Sequence, residues 1–210
     1  MTKHPDLRHE RKLWQAGVQL VAGVDEVGVG PMAGPVMAAA VIFAPETFIK
    51  GVHDSKQLSP LQREAMFEAI QARALAIGVA EVSVEEIDRI NIFHAAQAAC
   101  RTAIARLATL PEHVLVDGRA LRGLQVRQTA IVGGDRKSFC IAAASIIAKV
   151  QRDRLMCYYD QLYPGYGFAR HKGYCTAEHL AAVKRLGPSP LHRTSFSPVM
   201  AAAQLRLQLQ

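Results

Sequence analysis

The segment from Val24 to Val36 constrains the fold of this chain more than any other part of the sequence. It places two adjacent carboxylates, Asp25 and Glu26, at the end of an apolar run and follows them with three glycines and two prolines. Adjacent acids at the end of a near-buried strand repel each other and lose hydration, a cost that proton uptake or a bound divalent cation relieves. Of these two, the sequence favours a metal ion.

Short apolar runs bounded by glycine, proline or polar residues predict the strands. The predicted strands cover residues 19–25, 36–43, 78–84, 113–117 and 126–132. The glycine- and proline-rich segment joins the first two, which predicts that they are neighbours in one sheet.

Capping signals and helical spacing predict the helices. Ser59 is followed by Pro60 and lies three residues before Gln62, and Ser83 has the same spacing to Glu86, so both serines mark helix starts. Further helices are predicted from residue 91 until Pro111 ends the element, over residues 138–159 and over residues 176–186.

Early strands followed by alternating strands and helices predict an α/β fold with a mixed five-stranded sheet flanked by helices and a helical C-terminal part. The length of 210 residues favours a single domain over the whole chain. Residues 1–17 are expected to form a lead-in to this domain, and residues 199–210 a weakly anchored tail.

Four acids follow predicted strands: Asp25 and Glu26 after the first, Asp117 after the fourth and Asp135 after the fifth. Strand ends at one edge of a sheet bring distant residues together, and ligand sites favour such edges. An all-oxygen set suits Mg²⁺ or Mn²⁺, and two such ions could activate water and stabilise the leaving oxygen of a phosphoryl displacement. Taken singly, Asp117 or Asp135 is better explained as a turn residue, so the prediction depends on the set of four.

Composition narrows the partners and the location. A net charge of +7 with several acids gathered at one site leaves a basic surface, which suits a polyanion, although a modest charge that serves only solubility explains the number equally well. The four cysteines have no C-x-x-C spacing, and no apolar run is long enough to span a bilayer. We therefore expect reduced thiols and a soluble cytoplasmic protein that does not bind membranes.

Competing motif interpretations lack essential parts. Gly28, Gly30 and Gly34 faintly resemble a dinucleotide-binding loop, but adjacent acids would oppose a pyrophosphate and Pro31 removes a donor amide. Motifs for P-loop, serine-hydrolase and zincin chemistry are absent from the sequence. The histidines at positions 171, 179 and 192 are interpreted as surface or structural residues rather than as metal ligands.

From Glu10 to Pro198 the chain resembles the ribonuclease HII family, the type 2 ribonucleases H. The matching blocks are Gly23-Val24-Asp25-Glu26-Val27-Gly28, Gly34-Pro35-Val36, Asp54-Ser55-Lys56, Val116-Asp117-Gly118, Gly134-Asp135, Ala144-Ser145-Ile146 through Arg152-Asp153, Gly165-Tyr166-Gly167, His171-Lys172-Gly173-Tyr174 and His192-Arg193. The resemblance implies a ribonuclease H-like fold in which Asp25, Glu26, Asp117 and Asp135 are catalytic and bind Mn²⁺ or Mg²⁺ at a two-ion site.

The resemblance also implies the reaction. The expected enzyme is an endonuclease that cuts RNA in RNA/DNA hybrids and single ribonucleotides in duplex DNA. It would cut on the 5′ side of the ribonucleotide and leave a 3′-hydroxyl and a 5′-phosphate. Such an activity serves DNA repair through ribonucleotide removal and DNA replication through primer removal. The protein is expected to act as a monomer.

Several residues are predicted to contact the substrate. Gly28 and Gly30 let the backbone approach a sugar edge, where main-chain groups at these glycines and at Val29 can test for the 2′-hydroxyl. Tyr174 resembles the family tyrosine that stacks on a sugar. Lys56, in a loop, is a candidate phosphate contact. The helix face of Lys149 and Arg152 is a weaker one, because a solvated face explains it equally well, and Ser145 is explained equally well as a packing hydroxyl.

One position departs from the family pattern. The family has Gly-Arg-Gly where this chain has Gly28-Val29-Gly30, so a guanidinium that would help to hold the nucleic acid is absent. The alternative function is therefore a catalytically weakened, nucleic-acid-binding relative, although the retention of all four acids argues against it.

Overall fold

The computed structural model describes residues 4–55 and 57–201. Lys56 and the end of the predicted tail lie outside these ranges. In chain order, the helices and strands are α1 (Arg8–Gln15), β1 (Val21–Val27), β2 (Val36–Ile42), α2 (Pro60–Gln71), β3 (Ala76–Val82), α3 (Val84–Ile90), α4 (Ile92–Ala105), β4 (His113–Asp117), β5 (Arg127–Ile131), α5 (Phe139–Leu162), α6 (Phe168–His171) and α7 (Ala177–Leu186), with a 3₁₀ turn over Gly134–Arg136.

The strands form one mixed sheet in the order β3-β2-β1-β4-β5. β1 pairs antiparallel with β2 and parallel with β4, and β4 pairs parallel with β5. The parallel pairing brings the carboxyl ends of β1, β4 and β5 to the same edge of the sheet. The predicted α/β architecture with a mixed five-stranded sheet is confirmed.

Contacts within the chain divide it into two compact units. The first unit consists of Met1–Val27, Met37–Ala80 and Gln97–Val150, and the second of Gly28–Val36, Glu81–Ala96 and Gln151–Gln210. The single domain predicted over residues 1–210 stays a prediction.

The core of the first unit contains apolar side chains from β2, α2 and the first half of α5. β1 runs so close to the start of α5 that a Cβ atom at Gly23 would lie 2.2 Å from the carbonyl carbon of Cys140. Only glycine allows this approach, which places α5 directly against the strand that carries Asp25.

The core of the second unit is built from aromatic and aliphatic side chains of the second half of α5, of α6 and of α7. Met32 and Ala33 of the loop after β1, and side chains of the chain after α7, complete it. The rings of Tyr166 and Phe168 stack with their centroids 5.4 Å apart. In the described part of the chain, no helix combines the length and the apolar character that crossing a bilayer requires.

The predicted strands and helices are confirmed, with end points that move by a few residues. Ser59 and Gln62 form both bonds of a capping box, and the Ser83 hydroxyl accepts from the Glu86 amide. The helix that follows Asn91 ends at Ala105 instead of continuing to the proline.

Two helices were not predicted. α1 lies inside the predicted lead-in; its only fully buried residue is Glu10, and its apolar side chains Leu13 and Trp14 are partly buried against the core. α6 is a single short turn between residues in the left-handed region, Gly167 and Lys172.

Candidate active site

The first two predicted acids stand at the carboxyl end of β1, in the first unit. Asp25 is buried, and its Oδ1 accepts a hydrogen bond of 2.8 Å from the Glu26 amide. Glu26 is only partly buried, and the Cys100 thiol lies 3.9 Å from its Oε2. Burial, followed by the nearby charge of Glu26, raises the pKa of Cys100 well above its usual range, which keeps this thiol protonated.

The other two acids follow β4 and β5, also in the first unit. Asp117 is the last residue of β4, and its Oδ1 accepts a hydrogen bond of 2.5 Å from the Gly134 amide. Gly133, with a φ of +63°, turns the chain after β5 and starts the 3₁₀ turn in which Asp135 is buried. This bond holds the end of β4 to the turn that carries the fourth acid.

The four acids interact electrostatically. The pKa of Asp25 is raised well above its usual range, first by burial, then by the charges of Glu26 and Asp117, and to a smaller extent by that of Asp135. A hydrogen bond with Ser145 acts in the opposite direction. Repulsion of this kind is expected of carboxylates that lie close to one another.

Ser145 lies on α5 and is buried against Asp25. Its hydroxyl is also 2.9 Å from the hydroxyl of Ser55, which belongs to the block that precedes Lys56. Ser145, predicted as a substrate contact, therefore forms a hydrogen bond with Asp25. Lys149 is partly buried one turn further along α5, and Lys56 is outside the described residues.

The donor set fits hard divalent cations. Across residues 4–55 and 57–201, no three His, Cys, Asp or Glu side chains are gathered closely enough to hold a metal ion between them. The four acids are nevertheless near enough for three of them to raise the pKa of Asp25. They offer only carboxylate oxygens, the ligands that Mg²⁺ and Mn²⁺ prefer.

The second unit contains the predicted substrate-contact loop, residues 28–35, which is held through its main chain. The Arg193 guanidinium donates to the carbonyl oxygens of Gly28 (2.6 Å), Val29 (3.2 Å) and Gly34 (2.7 Å). Arg193 has no exposed surface. Its five donors match the fixed positions of these oxygens, which defines the path of the loop.

Arg152 holds the far end of the same loop. It donates to the carbonyls of Pro35 (3.0 Å), Ala33 (3.1 Å) and Lys172 (2.9 Å) and is fully buried. The sequence interpretation placed it on a solvated or phosphate-contacting helix face, and this was wrong. Helical spacing could not reveal it, because its partners are main-chain oxygens of distant segments.

Gly28 is required beside Arg152. It has a φ of +90°, and a Cβ atom there would lie 2.4 Å from the Arg152 Nε atom. A Cβ atom at Gly30 would lie 3.7 Å from the ring of Tyr174, so this ring is within van der Waals range of the loop. Val29 and Tyr174 are 39% and 43% exposed.

His171, His179 and His192, all in the second unit, are buried and structural, not surface residues. His171 and His179 stack with ring centroids 4.0 Å apart, and Nε2 of His179 lies 3.0 Å from Nε2 of His192. The sequence left the surface and structural interpretations open, and the structure selects the second.

Comparison with known proteins identifies the family of this chain. A family model described as Ribonuclease HII matches residues 22–199. A ribonuclease HII of Anaeromyxobacter sp. is 53% identical over 95% of this chain and 63% of its own length. A ribonuclease HII of Geobacter sulfurreducens is 55% identical over 90% of this chain and 88% of its own length. The crystal structure of a ribonuclease H2 from Pyrococcus horikoshii has a TM-score of 0.72 at 26% identity, covering 91% of this chain and all of that one.

A mixed five-stranded sheet with interacting carboxylates after its parallel strands defines the class as a ribonuclease H-like nuclease. Within that class, the family match and the identity to curated relatives are specific. The chain belongs to the ribonuclease HII family. It is accordingly a hydrolase of the metal-dependent ribonuclease H type.

Proposed function

We propose that this chain is an endoribonuclease that cuts the RNA strand of RNA/DNA hybrids and single ribonucleotides embedded in duplex DNA. It cuts on the 5′ side of the ribonucleotide and leaves a 3′-hydroxyl and a 5′-phosphate. The observation that carries this proposal is the placement of the four acids at the ends of β1 and β4 and in the turn after β5, where the charges of Glu26, Asp117 and Asp135 all act on Asp25. Family membership supports the choice of substrate class.

The four acids would hold the catalytic metal. Asp25, Glu26, Asp117 and Asp135 supply carboxylate oxygens from the ends of neighbouring strands and the turn after β5. When bound, two Mn²⁺ or Mg²⁺ ions supply an activated water and charge stabilisation of the leaving oxygen. Ser145 keeps Asp25 oriented through its hydrogen bond.

The loop of the second unit would recognise the nucleic acid. Arg193 binds the carbonyl oxygens of Gly28 and Val29, which fixes the orientation of the peptide groups that would test for a 2′-hydroxyl. Tyr174, exposed beside Gly30, would stack on a sugar. Lys149 and Lys56 are the proposed phosphate contacts.

In the cell this activity would remove misincorporated ribonucleotides and replication primers. The basic balance of the chain, +7 overall with acids gathered at one site, suits binding to duplex nucleic acid. The monomeric state and the cytoplasmic location stay predictions.

The test is cleavage of a DNA duplex that contains one ribonucleotide, with and without Mn²⁺. The wild-type protein is expected to nick the strand only with metal, and Asp117→Asn is expected to abolish nicking. Asparagine keeps the Oδ1 acceptor for Gly134, so the fold should persist while a ligand charge is lost. Asp160→Asn, on α5 and outside the predicted site, is the matched control.

The alternative, a weakened relative that binds without cutting, makes the opposite prediction. Metal-independent binding of the same duplex without any nick would favour it. Near-wild-type nicking by Asp117→Asn would refute the assignment of the acids.

A further inference from the structure

A chain of hydrogen bonds in the second unit ends on the carbonyl oxygen of Tyr174. The Ser189 amide lies 2.9 Å from Nδ1 of His192, the Nε2 atoms of His192 and His179 lie 3.0 Å apart, and Nδ1 of His179 lies 2.9 Å from the Tyr174 oxygen. We call Ser189, His192 and His179 the histidine relay. The proposed function assigns none of these residues.

The relay has one consistent set of protons. Because the Ser189 amide can only donate, Nδ1 of His192 accepts, and the single proton of this neutral ring is on Nε2. That proton is donated to Nε2 of His179, so the proton of the second ring is on Nδ1. This assignment, inferred from the bonds, makes His179 a donor to the Tyr174 carbonyl.

Burial keeps both rings neutral. His179 and His192 are 0% and 1% exposed, and the ring of Phe168 packs against both. Burial is the main reason that the pKa of each histidine is lowered to about 4. A second proton on Nε2 of His179 would place two donors against each other at the 3.0 Å contact, and one on Nδ1 of His192 would place a donor against the Ser189 amide.

His171 supports the relay from the other side. It stacks on His179, its Nε2 donates to the Tyr166 carbonyl at 2.8 Å, and its Nδ1 accepts from the Gly173 amide at 3.2 Å. Its own carbonyl accepts the Tyr174 amide at 2.9 Å. The amide and the carbonyl of Tyr174 are therefore both held, while its ring remains exposed.

We propose that His179 and His192 are positioning residues that set the orientation of Tyr174 toward the nucleic acid. This proposal rests on the proposed function, because it assumes that Tyr174 contacts the substrate. A fixed main chain at Tyr174 limits the positions that its ring can take, so less ordering is needed when substrate binds, which favours binding and correct placement of the sugar.

Asparagine and glutamine discriminate between the two nitrogens of each ring. In His179→Asn the amide reaches the Nδ1 position and still donates to Tyr174, whereas in His179→Gln it reaches the Nε2 position and that bond is lost. We expect His179→Asn to keep most of the kcat/KM for the single-ribonucleotide duplex and His179→Gln to lose roughly 10-fold.

The preference should be reversed at His192. His192→Gln keeps a donor at the Nε2 position toward His179, whereas His192→Asn does not. We expect the glutamine variant to be the more active one here. A purely structural role would make kcat/KM follow thermal stability and would not produce opposite preferences at the two sites. The same order at both positions would overturn the proposal.

A double-mutant cycle with Tyr174→Ala separates the effect of the histidine relay from the role of Tyr174 in substrate contact. If Tyr174→Ala lowers kcat/KM and His179→Gln adds no further loss in that background, the relay acts through Tyr174. If the two losses add independently, the relay proposal fails while the role of Tyr174 stands. If Tyr174→Ala has no effect, the substrate contact in the proposed function fails, and the relay proposal fails with it.

Discussion

Arg193 donates a hydrogen bond of 2.6 Å from Nη2 to the carbonyl oxygen of Gly28. The guanidinium is fully buried, and its direct partners include the main-chain oxygens of three loop residues. Burial, followed by the charge of Arg152, lowers its pKa to about 9, which leaves it protonated at neutral pH. A buried cation here is stabilised by carbonyl dipoles.

Replacing Arg193 by lysine should impair substrate recognition. Lysine keeps the charge but cannot donate to three carbonyl oxygens with one planar group. The backbone of residues 28–34 is therefore held less tightly. We expect Arg193→Lys to lower kcat/KM for the single-ribonucleotide duplex by roughly 10-fold or more, and to lower stability by about 1–3 kcal/mol. Arg185→Lys, an exposed arginine that donates to one carbonyl, is the control and should be near wild type.

Restoring the family arginine should strengthen binding. Val29 is 39% exposed, and its carbonyl is held independently of its side chain. We expect Val29→Arg to raise affinity or turnover by ~3–10-fold at low salt, with a gain that shrinks as salt is added. Val29→Gln, similar in length but uncharged, should give little gain. An unchanged kcat/KM for Val29→Arg would contradict the prediction.

Removing the charge of Asp25 should stabilise the metal-free protein. The folded state disfavours the ionised form of this carboxyl through burial and neighbouring acids, and asparagine removes that cost at neutral pH. We expect Asp25→Asn to raise the Tm by ~2–4 °C. Added Mn²⁺ should raise the Tm of the wild type more than that of the variant. A lower Tm in metal-free buffer, or an equal response to Mn²⁺, would count against the site.

Acid should destabilise the fold through the histidine relay. His179 and His192 have pKa values of about 4 in the folded chain against an ordinary value of 6.5. As the pH falls from about 6.5 toward about 4, the unfolded chain takes up protons that the folded chain does not, so the free energy of unfolding decreases. Urea unfolding at several pH values across this range should show that the free energy of unfolding falls less steeply with decreasing pH in His179→Asn than in the wild type. An equal dependence on pH would refute the lowered pKa of His179.

Glu10 should contribute to the stability of the fold through its hydrogen bonds at the start of α5. It is fully buried, and its Oε1 accepts from the Ser138 hydroxyl at 2.6 Å and from the Cys140 amide at 2.9 Å, at the start of α5. Glu10→Ala leaves both donors unsatisfied and should cost about 1–3 kcal/mol in chemical unfolding. Glu10→Gln keeps an acceptor and should cost less. An alanine variant as stable as wild type would show that water satisfies these donors.

The sequence predicted the sheet and the four acids because both depend on local signals. Apolar runs mark the strands, and carboxylates directly after them lie at one edge by the geometry of parallel pairing. The helix starts at Ser59 and Ser83 were visible for the same reason, since a capping serine bonds within its own turn.

The buried cations and the histidine relay were not predictable in this way. Arg152 and Arg193 donate to main-chain oxygens more than a hundred residues away, and any sequence supplies such oxygens. Helix α1 escaped prediction because its buried residue is an acid that bonds to a distant helix start. When a side chain bonds to main-chain atoms of a distant segment, the sequence of that segment contains no pattern that would predict the bond.

The way in which residues 28–35 are held has a consequence for how such a nuclease can diverge. Since arginine donors bind the loop by its peptide oxygens, position 29 can exchange its outward side chain without any change in backbone course. If this loop contacts the nucleic acid as proposed, selection can adjust the strength of substrate binding at position 29 in small steps while leaving discrimination by the peptide groups intact.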